Sequence, residues 1–131
     1  MKKPHNHYCH KTSPSSDETT IDSPYEMIEK IGEGAFGEVY KVFDPVTSQL
    51  KVLKRQKPDT KSNLLKEGRI MKELSSSEGF AKISDIKHSK EEQYYVMSYL
   101  GCELGSILEE NEKISIYSMK RIAIQLIERL K

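Results

Sequence analysis

Three closely spaced glycines, followed at once by residues that favour β-strands, constrain the fold of this chain more than any other feature. They are Gly32, Gly34 and Gly37, within the run Ile-Gly-Glu-Gly-Ala-Phe-Gly-Glu-Val-Tyr at positions 31–40. Because glycine has no Cβ, a backbone built this way can lie close over a polyphosphate. The run therefore predicts either a phosphate-binding loop or a purely structural glycine hairpin.

The residues after the third glycine decide which kind of phosphate loop is possible. A Rossmann dinucleotide loop must open a helix, whereas Gly37 is followed by Glu-Val-Tyr-Lys-Val-Phe. This segment is rich in β-branched and aromatic residues, which favour a strand. The chain also lacks the Gly-Lys-Ser/Thr of a P-loop. A loop between two strands remains.

The rest of the hydrophobic pattern predicts strands first and helices last. Strands are predicted at 25–31, 38–43, 49–55, 81–88 and 92–98, with a helix at 62–75 and helical structure from about 103 onward. This order indicates an α+β fold, an antiparallel sheet with one inserted helix followed by the start of an all-helical unit.

Composition excludes several classes of function. The 131 residues carry 21 basic and 20 acidic side chains, so we expect neither a nucleic-acid partner nor a membrane partner. No run approaches the roughly 18 apolar residues of a membrane span. Two cysteines are too few for a disulfide scaffold. With no secretory h-region at the N-terminus, we expect a cytoplasmic and/or nuclear location.

Residues 1–23 are predicted to form a disordered polar tail. They contain two prolines, many Ser and Thr, and a single β-branched aliphatic residue, Ile21, too little apolar surface to offset the entropy of ordering. His5, His7, Cys9 and His10 are possible metal ligands. A second ligand pair is missing, however, so we expect a solvated tail and no metal site.

Two motifs in the body resemble those of protein kinases. The kinase loop Gly-x-Gly-x-x-Gly-x-Val is matched in full by the three glycines and Val39. The kinase strand Val-Ala-Ile-Lys corresponds to Lys-Val-Leu-Lys at 51–54, where Lys54 follows Gly37 by 17 residues. The resemblance implies that the ammonium of Lys54 contacts the α- and β-phosphates of ATP.

The alternation of side chains along a strand gives neighbours of Lys54 different surroundings. Leu50, Val52 and Lys54 share one face, while Lys51 is on the other and is expected to point into solvent. Kinases usually have a small Ala against the adenine where this chain has Val52. Two extra methyl groups are expected to narrow that pocket.

Helix 62–75 offers a carboxylate for Lys54. At about 100° per residue, Leu64, Ile70, Met71 and Leu74 define an apolar face, with Glu67 near its middle. A carboxylate on a buried stripe needs a cation, and the kinase resemblance pairs Glu67 with Lys54 as the catalytic ion pair. The alternative is that Glu67 is an edge residue in an i,i+4 pair.

The resemblance also implies a nucleotide site and a branch of the family. Met97 would be the gatekeeper, with Tyr99 and Leu100 contacting the base through the backbone. The segment from Val96 to Leu108 is similar to the hinge and first helix of casein kinase I. The full set implied to bind ATP is Ile31, Gly32, Gly34, Ala35, Phe36, Gly37, Val39, Val52, Lys54, Met97, Tyr99 and Leu100.

The resemblance divides the body into a kinase N-lobe with hinge (24–101) and the first helices of a C-lobe (102–131). The His-Arg-Asp and Asp-Phe-Gly motifs of kinases are absent from the 131 residues. We therefore expect a truncated serine/threonine kinase of casein kinase I type, inactive as it stands. The intact enzyme would use ATP and Mg²⁺ and act on protein substrates.

A second function is left open by the sequence. The chain could be a short pseudokinase-like module that binds nucleotide or a protein without catalysis. Its last helix, predicted to begin after the N-cap Ser115, carries a long apolar stripe. On this hypothesis helix 115–131 self-associates or binds a partner.

Overall fold

Five antiparallel strands and three helices are found in the part of the chain that the structure describes. The structure is a computed structural model that describes residues 21–35, 37–111 and 113–131. Its elements are β1 (Glu26–Glu33), β2 (Gly37–Asp44), β3 (Gln49–Gln56), α1 (Leu64–Leu74), β4 (Ile83–His88), β5 (Gln93–Ser98), α2 (Leu104–Asn111) and α3 (Ile116–Arg129). The predicted α+β fold, a five-stranded antiparallel sheet with one inserted helix and further helices after it, is confirmed.

The strands lie in the order β1-β2-β3-β5-β4, so the strand that carries Lys54 is the middle one. Val39 on β2 and Tyr95 on β5 are the two register partners of Lys54. Paired residues share a face of the sheet, and the face that carries these three is named the inner face. The opposite, outer face carries Tyr40, Leu53 and Val96, which are paired in the same way.

The outer face holds the apolar core. Its buried members are Ile21, Val42, Leu53, Tyr94 and Val96, and Tyr25 and Tyr40 pack against them. Ile21, which the prediction assigned to the disordered tail, is only 7% exposed. This aliphatic side chain packs into the core of the outer face, although the prediction placed it in the tail. Residues 1–20 lie outside the described residues.

Lys51 differs from its prediction. It was expected in solvent, yet it is buried on the outer face, where its Nζ donates to Asp44 Oδ2 at 2.6 Å. The same carboxylate accepts hydrogen bonds from the backbone N–H of Val46 and the hydroxyl of Thr47. The prediction was wrong because it assumed that the face opposite Lys54 is open to water.

Helix α1 packs on β4 and β5, but with only part of the face that the sequence predicted. Its buried residues are Leu64 and Gly68, whereas Ile70 and Leu74 are 48% and 39% exposed. The helix therefore turns its glycine toward the sheet. An apolar pattern does not reveal this contact, because glycine contributes no side chain to it.

Residues 101–131 form a second compact unit, which contains α2 and α3. The hydroxyl of Ser115 accepts a hydrogen bond from the N–H of Ser118 at 3.1 Å, so the predicted N-cap of α3 is confirmed. Several large apolar side chains of α3 are exposed, namely Ile116, Tyr117, Met119, Ile124, Leu126 and Ile127. Within the described ranges, no helix has the length and apolar character to cross a bilayer.

Candidate functional site

The glycine loop is the turn between β1 and β2. The N–H of Gly34 donates to the carbonyl of Gly37 at 2.8 Å, which closes the turn. A Cβ on Gly37 would lie 3.0 Å from the carbonyl oxygen of Arg55 on β3, so a larger residue would force the two strands apart. Gly34 has no such constraint, since its nearest atom would be 4.0 Å away. Phe36 lies outside the described residues.

Lys54 and Glu67 are brought together on the inner face. Lys54 Nζ donates to Glu67 Oε1 at 2.8 Å, with side-chain exposures of 30% and 45%. β3 supplies the lysine and α1 the glutamate, so the pair joins the sheet to the helix. The ion pair is observed as predicted, while its catalytic role stays a prediction.

A third residue, Tyr95, completes this contact and was missed by the sequence analysis. Its hydroxyl donates to the same Glu67 Oε1 at 2.7 Å, and Tyr95 is only 1% exposed. Burial alone would raise the pKa of Glu67, but the hydrogen bonds from Lys54 and Tyr95 outweigh it and lower that pKa. Burial raises the pKa of Tyr95, and the bond to Glu67 raises it further. Glu67 is therefore a carboxylate at neutral pH, and Tyr95 keeps its proton.

A signal for Tyr95 was present in the sequence. The alternation along β5 puts Tyr95 on the same face as Met97, hence on the side of Lys54. The run Tyr-Tyr-Val-Met, however, is equally typical of a strand whose side chains are all buried. Only the register of β3 with β5, in which Lys54 pairs with Tyr95, identifies the contact.

A pocket of about 750 Å³ opens between the glycine loop and the start of α1. Six of the predicted site residues line it, namely Gly34, Ala35, Gly37, Val39, Lys54 and Glu67. Lys61, Ser62, Asn63 and Lys66, which were not predicted, line it too. With three lysines and several hydrogen-bonding side chains, this pocket has the chemistry to bind an anion.

The other predicted residues that the structure describes do not line this pocket. Ile31 and Gly32 are in β1, and Val52 and Met97 are register partners on the inner face, where Val52 is 5% exposed. In the segment after β5, Leu100 is 74% exposed. There the ring of Tyr99 has the ammonium of Lys41 at 4.9 Å from its centre, a favourable cation–π distance.

The residues that line the pocket have the chemistry to hold a polyphosphate. The open space at Gly34 and the ammonium of Lys54, which both line the pocket, are features that a polyphosphate chain requires. By contrast, no group of three His, Cys, Asp or Glu that could hold a metal is found among residues 21–35, 37–111 and 113–131.

A protein-family model matches most of the chain. The model described as "Protein kinase domain" matches residues 25–131. The match covers the sheet, α1, α2 and α3, including each residue of the Lys54, Glu67 and Tyr95 cluster.

Proposed function

The chain belongs to the protein kinase family, and from that premise we propose that it binds ATP on the inner face of its sheet. The observation that carries this proposal is the Lys54–Glu67 ion pair at 2.8 Å, in a pocket that the glycine loop also lines. Either part alone occurs in many proteins. A lysine held by a carboxylate beneath a glycine hairpin is suited to a polyphosphate.

Each part of the proposed site has a distinct role. The loop at Gly34 and Gly37 lets the backbone lie close over the phosphates. The ammonium of Lys54 neutralises phosphate charge, and Glu67 holds it in place. Val39 and Val52 pack against the adenine, and Met97, Tyr99 and Leu100 border it.

We further propose that the enzyme to which this chain corresponds is a serine/threonine kinase of casein kinase I type. The support is the likeness of the segment from Val96 to Leu108 to the hinge of that branch. Ser98 and Ser106 replace acidic residues of the branch pattern, so this chain would bind the ribose differently. Protein Ser or Thr hydroxyls would accept the γ-phosphate of ATP, with Mg²⁺ supplying charge neutralisation in the intact enzyme.

The 131 residues alone are proposed to be inactive in phosphate transfer. Residues 24–101 would serve as the N-lobe and hinge, and residues 102–131 as the first C-lobe helices. The sequence contains neither His-Arg-Asp nor Asp-Phe-Gly, so the base and the metal ligands used by kinases are absent from it. Transfer of γ-phosphate to any protein by the purified chain would contradict this.

The exposed apolar residues of α3 favour a second candidate function, a non-catalytic interaction module. Ile116, Met119 and Leu126 are each more than half exposed, and contiguous apolar surface of this kind is typical of an interface. Self-association through α3 would appear in sedimentation equilibrium of the purified chain. Replacement of Leu126 by Glu would abolish it.

Nucleotide titration of two lysine variants tests the main proposal. Lys54→Met removes the phosphate-binding ammonium and is expected to weaken ATP binding at least about tenfold, since charge-assisted bonds contribute about 1.5–3 kcal/mol. Lys90→Met, in the exposed turn before β5, changes the net charge equally and is expected to leave affinity unchanged. Calorimetry measures both, and equal affinity in Lys54→Met and wild type would contradict the proposal.

A further inference from the structure

Tyr95 on β5 and Gly68 on α1 are in contact next to the Lys54–Glu67 ion pair. The Tyr95 hydroxyl donates to Glu67 Oε1 at 2.7 Å, and Lys54 Nζ donates to the same oxygen at 2.8 Å. A single carboxylate oxygen thus accepts one hydrogen bond from a neutral donor and one from a cation. This leaves Oε2 without either of these donors.

The sheet fixes the two donors relative to each other. Lys54 and Tyr95 are register partners on β3 and β5, so their Cα atoms are held within one strand spacing. Tyr95 is a rigid side chain that is 1% exposed, whereas Glu67 is flexible and almost half exposed. The hydroxyl of Tyr95 is consequently the fixed point, and the carboxylate is the group that it orients.

Gly68 allows the helix to come close enough for this bond. It follows Glu67 in α1 and is buried. A Cβ at this position would lie 3.0 Å from Tyr95 Cδ1 and 3.3 Å from both Cβ and Cγ of the same residue. Because the Tyr95 side chain is buried, it cannot swing aside, so any larger residue would push α1 away from β5.

We propose that Tyr95 is a positioning residue that, with Gly68 beside it, holds Glu67 and therefore Lys54 in the nucleotide-binding arrangement before nucleotide arrives. The proposal rests on the proposed function only in taking Lys54 as the phosphate ligand. The contact on the Glu67 carboxylate itself does not depend on any ligand. The conformational entropy of the long Glu67 side chain is then lost when the chain folds, and not when nucleotide binds.

Tyr95→Phe tests this proposal, with Tyr94→Phe as its matched control. Both tyrosines are buried, but Tyr94 is on the outer face and in the core cluster there. The pKa of Glu67 is followed by NMR of ¹³C-labelled glutamate carboxyls, with Glu67→Gln used to assign the signal. We expect Tyr95→Phe to raise this pKa and Tyr94→Phe to leave it unchanged, because only the first removes a donor to the carboxylate.

ATP affinity is the second measurement. Tyr95→Phe is expected to weaken binding about five- to tenfold, less than Lys54→Met, because Tyr95 does not contact the nucleotide and acts only through Glu67. In a Glu67→Gln background the same replacement is expected to change affinity less than about twofold, since Tyr95 acts through Glu67. An unchanged Glu67 pKa in Tyr95→Phe would overturn the proposal. So would a five- to tenfold loss of affinity when Tyr95→Phe is added to Glu67→Gln.

Gly68→Ala provides an independent variant, and Gly105→Ala its control. Both glycines lie in helices, but a Cβ on Gly105 would meet no atom within 4 Å. We expect Gly68→Ala to raise the Glu67 pKa and weaken ATP binding, and Gly105→Ala to do neither. If the wild-type chain fails to bind ATP, the proposed function fails, while the Glu67 titration still decides the role of Tyr95.

Discussion

At the scale of single residues, charged side chains on the sheet are held by specific partners on both faces. On the outer face, Arg55 is paired with Glu38 at 2.7 Å and Lys51 with Asp44 at 2.6 Å. Burial alone would raise the pKa of Glu38, but its bonds to Lys30 and Arg55 lower it. These pairs explain how a sheet with basic residues on both faces of β3 can bury its outer face.

Asp44 gives a pH-dependent contribution to stability. The hydrogen bond from Lys51 is the main cause that lowers the pKa of Asp44 from 3.8 to about 2. A carboxyl whose folded pKa is depressed stabilises the fold above its unfolded pKa. This stability is therefore lost as the pH falls from about 3.8 to about 2.

Asp44→Asn tests the contribution of this carboxylate. The variant is expected to be less stable than wild type at pH 6, and the difference between them is expected to shrink toward pH 2. Urea unfolding followed by circular dichroism at several pH values measures it, with Asp59→Asn, in an exposed turn, as control. A difference between Asp44→Asn and wild type that does not change between pH 6 and pH 2 would contradict this account.

At the scale of elements, strands were easier to predict than helix faces. All five predicted strands are present with ends shifted by at most two residues, because alternation and flanking turn residues mark strands well. The inner face of β3 was also identified from alternation alone. The buried face of α1 was predicted only in part, because its contact with β5 depends on Gly68. The burial of Lys51 was not predicted, because it depends on Asp44 at the end of another strand.

The glycine loop offers a test at this scale. Gly37→Ala would place a methyl group 3.0 Å from the backbone of Arg55, so β2 or β3 must shift, at a cost of about 1–3 kcal/mol. Gly34→Ala meets nothing closer than 4.0 Å and is expected to change stability by less than about 0.5 kcal/mol. Urea unfolding of both variants gives the comparison, and equal stabilities would show that the close approach is not a constraint.

At the scale of the whole molecule, the protein kinase model matches one continuous stretch of the chain, residues 25–131. The sequence predicted this from two motifs, the glycine loop and the strand with Lys54, whose spacing is set by the β2–β3 hairpin. It could not predict Tyr95, because that contact depends on how β5 aligns with β3 after an intervening helix and strand. Short-range spacing is visible in a sequence, whereas long-range register becomes visible only in the fold.

The central claim is that nucleotide binds to the inner face of the sheet, and four valine methyl groups test it directly. Val39 and Val52 are on the inner face, and Val42 and Val96 are in the core of the outer face. In methyl NMR spectra of the chain titrated with ATP and Mg²⁺, we expect the signals of Val39 and Val52 to shift while those of Val42 and Val96 stay in place. Shifts confined to Val42 and Val96, or no shift of any of the four at millimolar ATP, would contradict the claim.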